Sequence, residues 1–358
     1  MNEIVYILEN LKRSSPIIQL AWALSSIFFV IISMLIMYLK YLRNHLRENE
    51  KIEAKYQEEY ETYLITYLYS GNDDDTISLE QQAIINELTS CIIDPFKRKI
   101  VVSTLLKLRN EISGEIAESI DKLYIELGLL SYSLAKLRNK KWDIITIGIR
   151  ELTQFKVKGV HKVVMNNINH PKKEVRKEMQ LYLIHLFSFK GLAFLNVLET
   201  PLSEWDQIQL LEVLQVTDDT EIADIRPWLK SSNDSVVIFS LKLARVYNQF
   251  EAKEELIELL SHKSENVRVN TISALSHLNI IEAKNILKTN FIERTHEEQI
   301  AFLKMMENVY ESNDKAFLLE HMQHENFEIK LLIMGILKSI NFEEYSFYEN
   351  EFKKTLIA

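Results

Sequence analysis

The sequence predicts an all-α protein: an α-solenoid, which is a stack of helix pairs, preceded by one transmembrane helix. Three observations predict this fold. Seven glycines and five prolines in 358 residues are too few for the many tight turns that a sheet protein needs. An uncharged apolar segment near the N-terminus is long enough to cross a bilayer. A similar phrase also recurs along the second half of the chain at multiples of about 31 residues.

Composition limits the classes of protein that the chain can belong to. With 47% hydrophobic and 26% charged residues, it has the composition of a folded protein. Its net charge of −9 argues against a general binder of nucleic acid, whose affinity comes mostly from cations that neutralise phosphate. Cys91 is the single cysteine, which excludes an internal disulfide and a cysteine-based zinc site, and we expect it to be a small buried residue.

The first predicted element is a transmembrane helix over residues 16–40, after a short tail over residues 1–15. The segment "PIIQLAWALSSIFFVIISMLIMYL" carries no charge, and at about 1.5 Å per residue it matches the hydrocarbon core of a bilayer. Aromatic rings near both ends suit the membrane interfaces. The predicted membrane-anchor residues are Trp22, Phe28, Phe29, Tyr38, Lys40 and Arg43.

Two other interpretations of this segment are weighed against the anchor. A buried core helix would be shorter and would not be bounded by charges on both sides. A cleavable secretory signal needs a small-residue site after its apolar region, whereas Ala21 and Ala23 precede most of it. The sequence therefore favours an uncleaved anchor.

The charges that flank the segment predict its orientation. Lys12 and Arg13 precede it, and five bases follow it within about twenty residues. These five are Lys40, Arg43, Arg47, Lys51 and Lys55. Because the more basic side stays in the cytoplasm, we expect a single-pass protein of the inner or plasma membrane whose solenoid is cytoplasmic.

The next segment, residues 41–70, is predicted to be a helical juxtamembrane stalk, because it contains neither glycine nor proline. Tyr56, Tyr60, Leu64 and Tyr67 form one stripe at helical spacing. This stripe either packs against the soluble body or forms a coiled-coil dimer, and the sequence leaves both open.

Residues 76–139 are predicted to be atypical capping helices that fit the repeat badly. They begin within the segment "SGNDDDTISLEQQ", whose adjacent aspartates lack the alternation and the central glycine of a calcium loop. We expect a turn there, after which Ser78 caps a helix and Gln81 completes a capping box.

The solenoid is predicted over residues 140–358. Val175, Val236, Val267 and Ile329 occupy the same place in the recurring phrase, at separations of 61, 31 and 62 residues. A period of about 31 places further units near Ile144, Ile208 and Ile300, with a drift of two residues at the last two. Each unit reads as a helix, a turn and a second helix, and stacking buries the apolar faces of both. The last residues are expected to close the far end of the stack.

The phrases "SENVRVNTISAL" and "KKEVRKEMQLYL" resemble the Val-Arg phrase of HEAT repeats, in the short variety of about thirty residues found in phycobilisome-lyase-like proteins. The resemblance covers roughly residues 140–340, or about seven units. It departs from the pattern in "SVVIFSL", where Val237 stands in place of the base. The resemblance implies an armadillo-like α-solenoid, and a lyase-like activity is the enzymatic function that it suggests.

The basic position of the phrase supplies the candidate binding residues Arg176, Arg268 and Lys330. They either line a groove for an acidic partner or bond to neighbouring turns and carboxylates between stacked units. His321 and His324 are close enough in sequence to share a metal ion, but the other ligands of a zinc site are missing, which favours a polar turn.

These features predict a scaffold that docks a membrane-associated protein on its concave face, on the cytoplasmic side of a bacterial inner membrane. Lipid is a further partner, through residues 17–39. We expect no enzyme activity, catalytic residue, cofactor, metal or nucleic acid, and the sequence identifies no small-molecule substrate. The alternatives are a lyase-like or other enzyme that uses the solenoid groove, and a nucleic-acid-binding HEAT protein.

Overall fold

The computed structural model describes residues 15–70, 77–216, 222–322 and 324–340, and every regular element in these ranges is a helix. The chain divides into two compact units, residues 1–131 and 132–358. This division lies eight residues before the predicted start of the solenoid. The predicted tail, the loop with three aspartates and the C-terminal closing segment lie wholly or largely outside the described residues.

Helix α1, Pro16–Tyr69, is one continuous helix of 54 residues. Pro16 suits its first turn, where an N–H would have no helical partner. The most apolar 18-residue window has a mean hydropathy of 2.4 and none of it is buried, so by length and composition this helix could cross a membrane. The interpretation as a buried core helix is therefore wrong for the described residues.

The C-terminal part of α1 packs against the rest of the first unit. Tyr60, Leu64 and Tyr67 are almost fully buried where α1 contacts helices α2 (Leu79–Cys91), α3 (Pro95–Glu111) and α4 (Glu115–Glu126). The aromatic stripe thus packs against the body of its own chain, which was one of its two interpretations. Cys91 at the end of α2 is half-buried instead of buried.

Local sequence explains where these helices begin. The Ser78 hydroxyl accepts the backbone N–H of Gln81 at 3.1 Å, and the Gln81 side chain accepts the N–H of Ser78 at 3.0 Å, which confirms the predicted capping box. Asp94 caps α3 immediately before its first residue, Pro95. Gly114 precedes α4 with φ of 75°, a conformation that glycine adopts without steric cost.

The second unit follows α5 (Leu129–Leu137), which spans the division, and its described residues contain seven long helices at a regular period. They start at residues 142, 173, 204, 234, 265, 296 and 327, so successive starts differ by 31, 31, 30, 31, 31 and 31 residues. The long helices are α6 (Trp142–Gln154), α8 (Lys173–Phe187), α9 (Glu204–Val216), α11 (Asp234–Val246), α13 (Glu265–His277), α15 (His296–Asn308) and α17 (Phe327–Ile340).

A shorter element separates each long helix from the next. Neighbouring long helices pack against each other from α6 to α9 and from α11 to α17, which makes this unit a helical-repeat stack. The short elements are α7 (His161–Met165), a 3₁₀ segment (Ser188–Val197), α10 (Arg226–Leu229), α12 (Lys253–Glu258), α14 (Glu282–Thr289) and α16 (Lys315–Glu320).

The third residue of each long helix from α8 to α17 is buried in the stack, whereas Ile144, the third residue of α6, is half-buried. Val175, Val236, Val267 and Ile329 hold this position and are fully buried. Burying a side chain of this size contributes about 1.5–3 kcal/mol, so the recurring aliphatic residue marks the repeated core.

The predicted drift of two residues at Ile208 and Ile300 is wrong, because the helix starts do not drift. In α9 and α15 the third position holds a carboxylate, Asp206 or Glu298, and both are buried. Ile208 is instead 46% exposed on the outer side of α9.

Candidate functional site: the exposed face of the long helices

The exposed side of the long helices α8 to α17 repeats from unit to unit, and we call it the long-helix face. The fifth residue of the helix is aliphatic in each of the last five long helices, and it is most exposed in α9 and α17. These residues are Ile208, Ile238, Val269, Ile300 and Leu331. Trp205 adds a further exposed ring in the first turn of α9. Ile238 and Val269 are half-buried and Ile300 is buried, so the face presents apolar contact area mainly at Trp205, Ile208 and Leu331.

A groove of about 390 Å³ lies in this face between α11, α13 and α15. Val269, Ile300, Ala301 and Met305 give it an apolar lining, and Ser273 beside them is small. Short side chains in the middle of α13 and α15 leave room between the helices, which is why the groove opens there.

Polar groups line the rest of the groove. Arg245 comes from the last turn of α11 and Lys304 from the middle of α15. Asn308 donates from its side-chain amide to the hydroxyl of Ser276 at 3.3 Å, which links α15 to α13. Glu297, in the first turn of α15, is the carboxylate among the lining residues.

Arg245 is half-buried, and its Nε is shielded from solvent without a hydrogen-bond partner among the described residues. A charged donor that is shielded from solvent and lacks an acceptor has lost its hydration without gaining a hydrogen bond. The guanidinium of Arg245 is thus available to an acceptor that enters the groove.

The predicted binding residue Arg176 is held by its own loop. Its guanidinium donates to the carbonyl oxygens of His170 at 2.7 Å and Pro171 at 3.1 Å. Arg268 repeats this geometry three units later and donates to the carbonyls of His262 at 2.7 Å and Lys263 at 3.2 Å. The repeated base therefore ties the start of a long helix to the loop before it.

Arg268 also pairs with Glu298 on the next long helix, with Nε 2.9 Å from Oε1. Lys330 is half-buried and also has an interaction within the chain. These contacts favour the interpretation in which the bases bond to turns and carboxylates between stacked units. Partner binding by Arg176, Arg268 and Lys330 stays a prediction.

Glu298 is a buried carboxylate with several partners in the stack. It accepts hydrogen bonds from Arg268, Arg294 and Thr295, and the bonds from Thr295 cap α15. Burial by itself raises the pKa of Glu298, but the hydrogen bonds from Arg268 and Thr295 outweigh burial and hold the pKa below its ordinary value.

A second buried charge cluster joins α14 to the loop before α16. Lys284, with its side chain 2% exposed, donates to Glu311 at 2.7 Å, Asp314 at 3.0 Å and the carbonyl of Val309 at 3.2 Å. These contacts use all three donors of the ammonium group. Burial alone lowers the pKa of Lys284, yet the hydrogen bonds to Glu311 and Asp314 raise it above its ordinary value.

The two histidines singled out in the sequence lie in a polar turn against aromatic rings. His321 Nδ1 lies 2.9 Å from the carbonyl oxygen of Phe317, and His324 Nδ1 accepts the N–H of Asn326 at 3.1 Å. Both rings contact Phe291. Among the described residues, no group of three potential ligands is placed to hold a metal ion.

The predicted membrane-anchor residues all lie on α1. Trp22, Phe28, Phe29 and Tyr38 are each more than half exposed, and Lys40 and Arg43 follow in the next turns. The helix keeps its course through these residues, so the apolar segment and the flanking bases belong to one rigid rod.

Sequence reasoning missed Arg245 and Lys304. They hold the twelfth position of α11 and the ninth position of α15, whereas the recurring phrase places its base at the fourth position. The two positions differ by three, so an alignment of the units on their helix starts places both residues on the same side of their helices.

No protein-family model matches this chain, and no curated protein matches it. Solved structures that resemble it include two engineered proteins from the Northeast Structural Genomics Consortium. One has 13% identity and a TM-score of 0.35, and covers 78% of this chain and 88% of its own. The other has 13% identity and a TM-score of 0.25, and covers 72% of this chain and 96% of its own.

A designed armadillo repeat protein has 14% identity and a TM-score of 0.22, and covers 72% of this chain and 100% of its own. TM-scores in this range do not establish a common fold. The helical-repeat architecture therefore rests on the stacked long helices of the chain itself.

Proposed function

We propose that this protein is a membrane-anchored scaffold of the HEAT type, which binds a partner protein on its long-helix face at the cytoplasmic side of a bacterial inner membrane. The observation that carries the proposal is that one chain combines an apolar helical segment of which no residue is buried with a periodic stack of long helices. Stacked repeats supply extended surfaces, and such surfaces suit protein partners.

The exposed apolar part of α1 supports the membrane anchor. Large side chains such as Phe29, at 72% exposure, would face water along this segment if no lipid surrounded it. Transfer of apolar surface out of water contributes about 25 cal/mol per Å², so a bilayer is the favourable environment for a helix of this length.

The same helix supports a fixed spacing between membrane and body. The first side chain of α1 that pairs with the body is Glu53, which lies 3.6 Å from Lys99 on α3. About thirteen helical residues separate Lys40 from Glu53, which corresponds to about 20 Å. We expect the body to stand at this distance from the headgroups, close to a membrane-associated partner.

Membrane attachment is tested by fractionation of cells that express the full chain or a variant lacking residues 1–39. We expect the full chain to stay with the membranes after alkaline carbonate washing and the variant to be released. A reporter fused after Ala358 tests the sidedness. Release of the full chain would contradict the anchor, and a reporter active outside the cytoplasm would contradict the orientation.

Partner binding is tested with a photo-crosslinking amino acid placed at single exposed positions in cells. Ile208 probes the long-helix face, and Phe250, which is exposed in a short element, is the matched control. We expect a discrete cross-linked protein from position 208 and none from position 250. The same pattern from both positions would contradict docking on the long-helix face.

A further inference from the structure

We propose that the groove between α11, α13 and α15 binds an acidic segment of a partner protein, with Arg245 and Lys304 receiving a carboxylate. This inference deepens the proposed function, because it names the chemistry of the partner that a scaffold would recognise. It rests on the groove, on the unpartnered cations and on the residues between them.

The first argument is that the two cations of the groove lack partners. Among the described residues, neither the Arg245 guanidinium nor the Lys304 ammonium has an ion pair or a side-chain hydrogen bond. Other half-buried arginines of this unit differ: Arg268 and Arg294 bond to Glu298, and Arg176 bonds to loop carbonyls. Arg245 is therefore a half-buried arginine that has no acceptor among the described residues.

The second argument is the chemistry of the groove. A guanidinium on α11 and an ammonium on α15, with α13 between them, favour an acidic segment, and the fork of an arginine can hold both oxygens of a carboxylate. Ser273 and Asn308 add a hydroxyl and an amide that can bond to a peptide backbone. Val269 and Ile300 give the groove apolar surface for an aliphatic side chain beside the acid.

The third argument excludes other classes of ligand. With Glu297 present, two cations leave a formal charge of +1, which is too small for a nucleic acid that needs several neutralised phosphates. A small metabolite usually sits in a pocket that encloses most of its surface, whereas this groove is open along the helices. An extended protein segment with an Asp or Glu beside an aliphatic residue fits both the charge and the shape.

The test is selection of peptides against the purified full chain in detergent. The probe is a phage-displayed library of random twelve-residue peptides, whose selected members are then synthesised and titrated by fluorescence anisotropy. We expect selected peptides to carry Asp or Glu next to an aliphatic residue. Their affinity should fall about tenfold or more for Arg245→Gln/Lys304→Gln, because charge-assisted hydrogen bonds are lost.

The matched control is Arg138→Gln/Lys263→Gln, which removes the same charge from exposed positions of the same unit outside the groove. We expect this control to bind as the unchanged chain does. The proposal would be overturned if all three proteins bound the peptides equally, or if both double variants lost the same affinity. Selection of peptides that carry no acidic residue would overturn it as well. Lys304→Gln alone, at an exposed position, keeps the test decisive if the double variant does not fold.

A synthetic peptide of residues 341–358, which contains four glutamates, is titrated in parallel. If this peptide binds more tightly than the selected ones and depends on Arg245, the occupant is the chain's own C-terminal segment and the assignment to a partner is overturned. The peptide titrations use purified protein, so their failure is separate from a failure of membrane attachment or of cross-linking in cells.

Discussion

Arg268 on α13 donates to both oxygens of Glu298 on α15, at 2.9 and 3.1 Å. Glu298 occupies the helix position that Val267 occupies one unit earlier, where the carboxylate replaces an aliphatic residue of the core. Asp206 on α9 also stands where other units have an aliphatic residue. Its carboxylate accepts the backbone N–H of Ser203, just before the helix, and lies 3.5 Å from the ammonium of Lys173 on α8. Two of the seven units thus use an ion pair where the others use apolar packing.

Replacing Arg268 with Leu should destabilise the second unit by about 3 kcal/mol, because Glu298 would keep its burial and lose its main partner. The measurement is urea unfolding followed by circular dichroism. Arg176→Leu is the matched comparison, since it removes bonds to neutral carbonyls only, and we expect a loss of about 1 kcal/mol. Equal losses in the two variants would contradict the role assigned to Glu298.

The pH dependence of stability tests the same carboxylate. The folded chain holds the pKa of Glu298 below its ordinary value, so the ionised form stabilises the fold above the unfolded pKa of about 4.3. This contribution is lost as the pH falls through the lower, folded pKa. We expect Glu298→Gln to be less stable than the unchanged chain at pH 7 and to lose less stability between pH 5 and pH 3, measured by unfolding at each pH.

Lys284 and Asp314 should show strong coupling. Lys284→Met leaves the fully buried Asp314 with Lys288 as its remaining cation, and we expect a loss of about 3 kcal/mol. Asp314→Asn should also lower the free energy of unfolding, because it removes one of the two carboxylates that pair with the buried Lys284.

The double variant should lose clearly less than the sum of the single losses, since it removes both charges together. Urea unfolding of the four proteins measures this coupling, and additive losses would show that the pair is not coupled.

Gly191 should not tolerate a side chain. It lies in the 3₁₀ segment, and a Cβ there would approach the carbonyl oxygen of Leu183 to 2.3 Å, a backbone atom that cannot rotate away. We expect Gly191→Ala to lower the free energy of unfolding by about 1–3 kcal/mol. Gly159→Ala is the control, because nothing lies within 4 Å of its added Cβ. Thermal melts of both variants check the difference.

Ionisation of Tyr67 should lower the stability of the first unit at alkaline pH. Burial first, and then the charge of Glu126, raise the pKa of Tyr67 to about 12, so the phenol stays protonated in the folded chain. An unfolded tyrosine ionises near pH 10, so stability is lost as the pH rises from about 10 towards 12. We expect Tyr67→Phe to lose less stability than the unchanged chain over this range. The same pH profile in both proteins would contradict the burial of this phenol.

Several elements could be predicted from sequence because their causes are local. The uncharged segment before Lys40, the capping box of Ser78 and Gln81, and the recurring Val-Arg phrase depend on spacing within single helices. The two-residue drift was wrong for a related reason. The recurring phrase predicts an aliphatic residue at the position that Asp206 and Glu298 hold. The burial of these carboxylates depends on bases from a neighbouring helix, which the phrase does not include.

The sequence by itself determined the helical class, the exposed apolar rod of α1 and the period of about 31 residues, since periodicity and charge are properties of the chain read in order. Only the tertiary structure decided that Arg176 and Arg268 are engaged within the stack and that Arg245 and Lys304 share a groove. Arg245 and Lys304 are 59 residues apart, and the packing of α11, α13 and α15 determines which side chains meet and which cations find an acceptor.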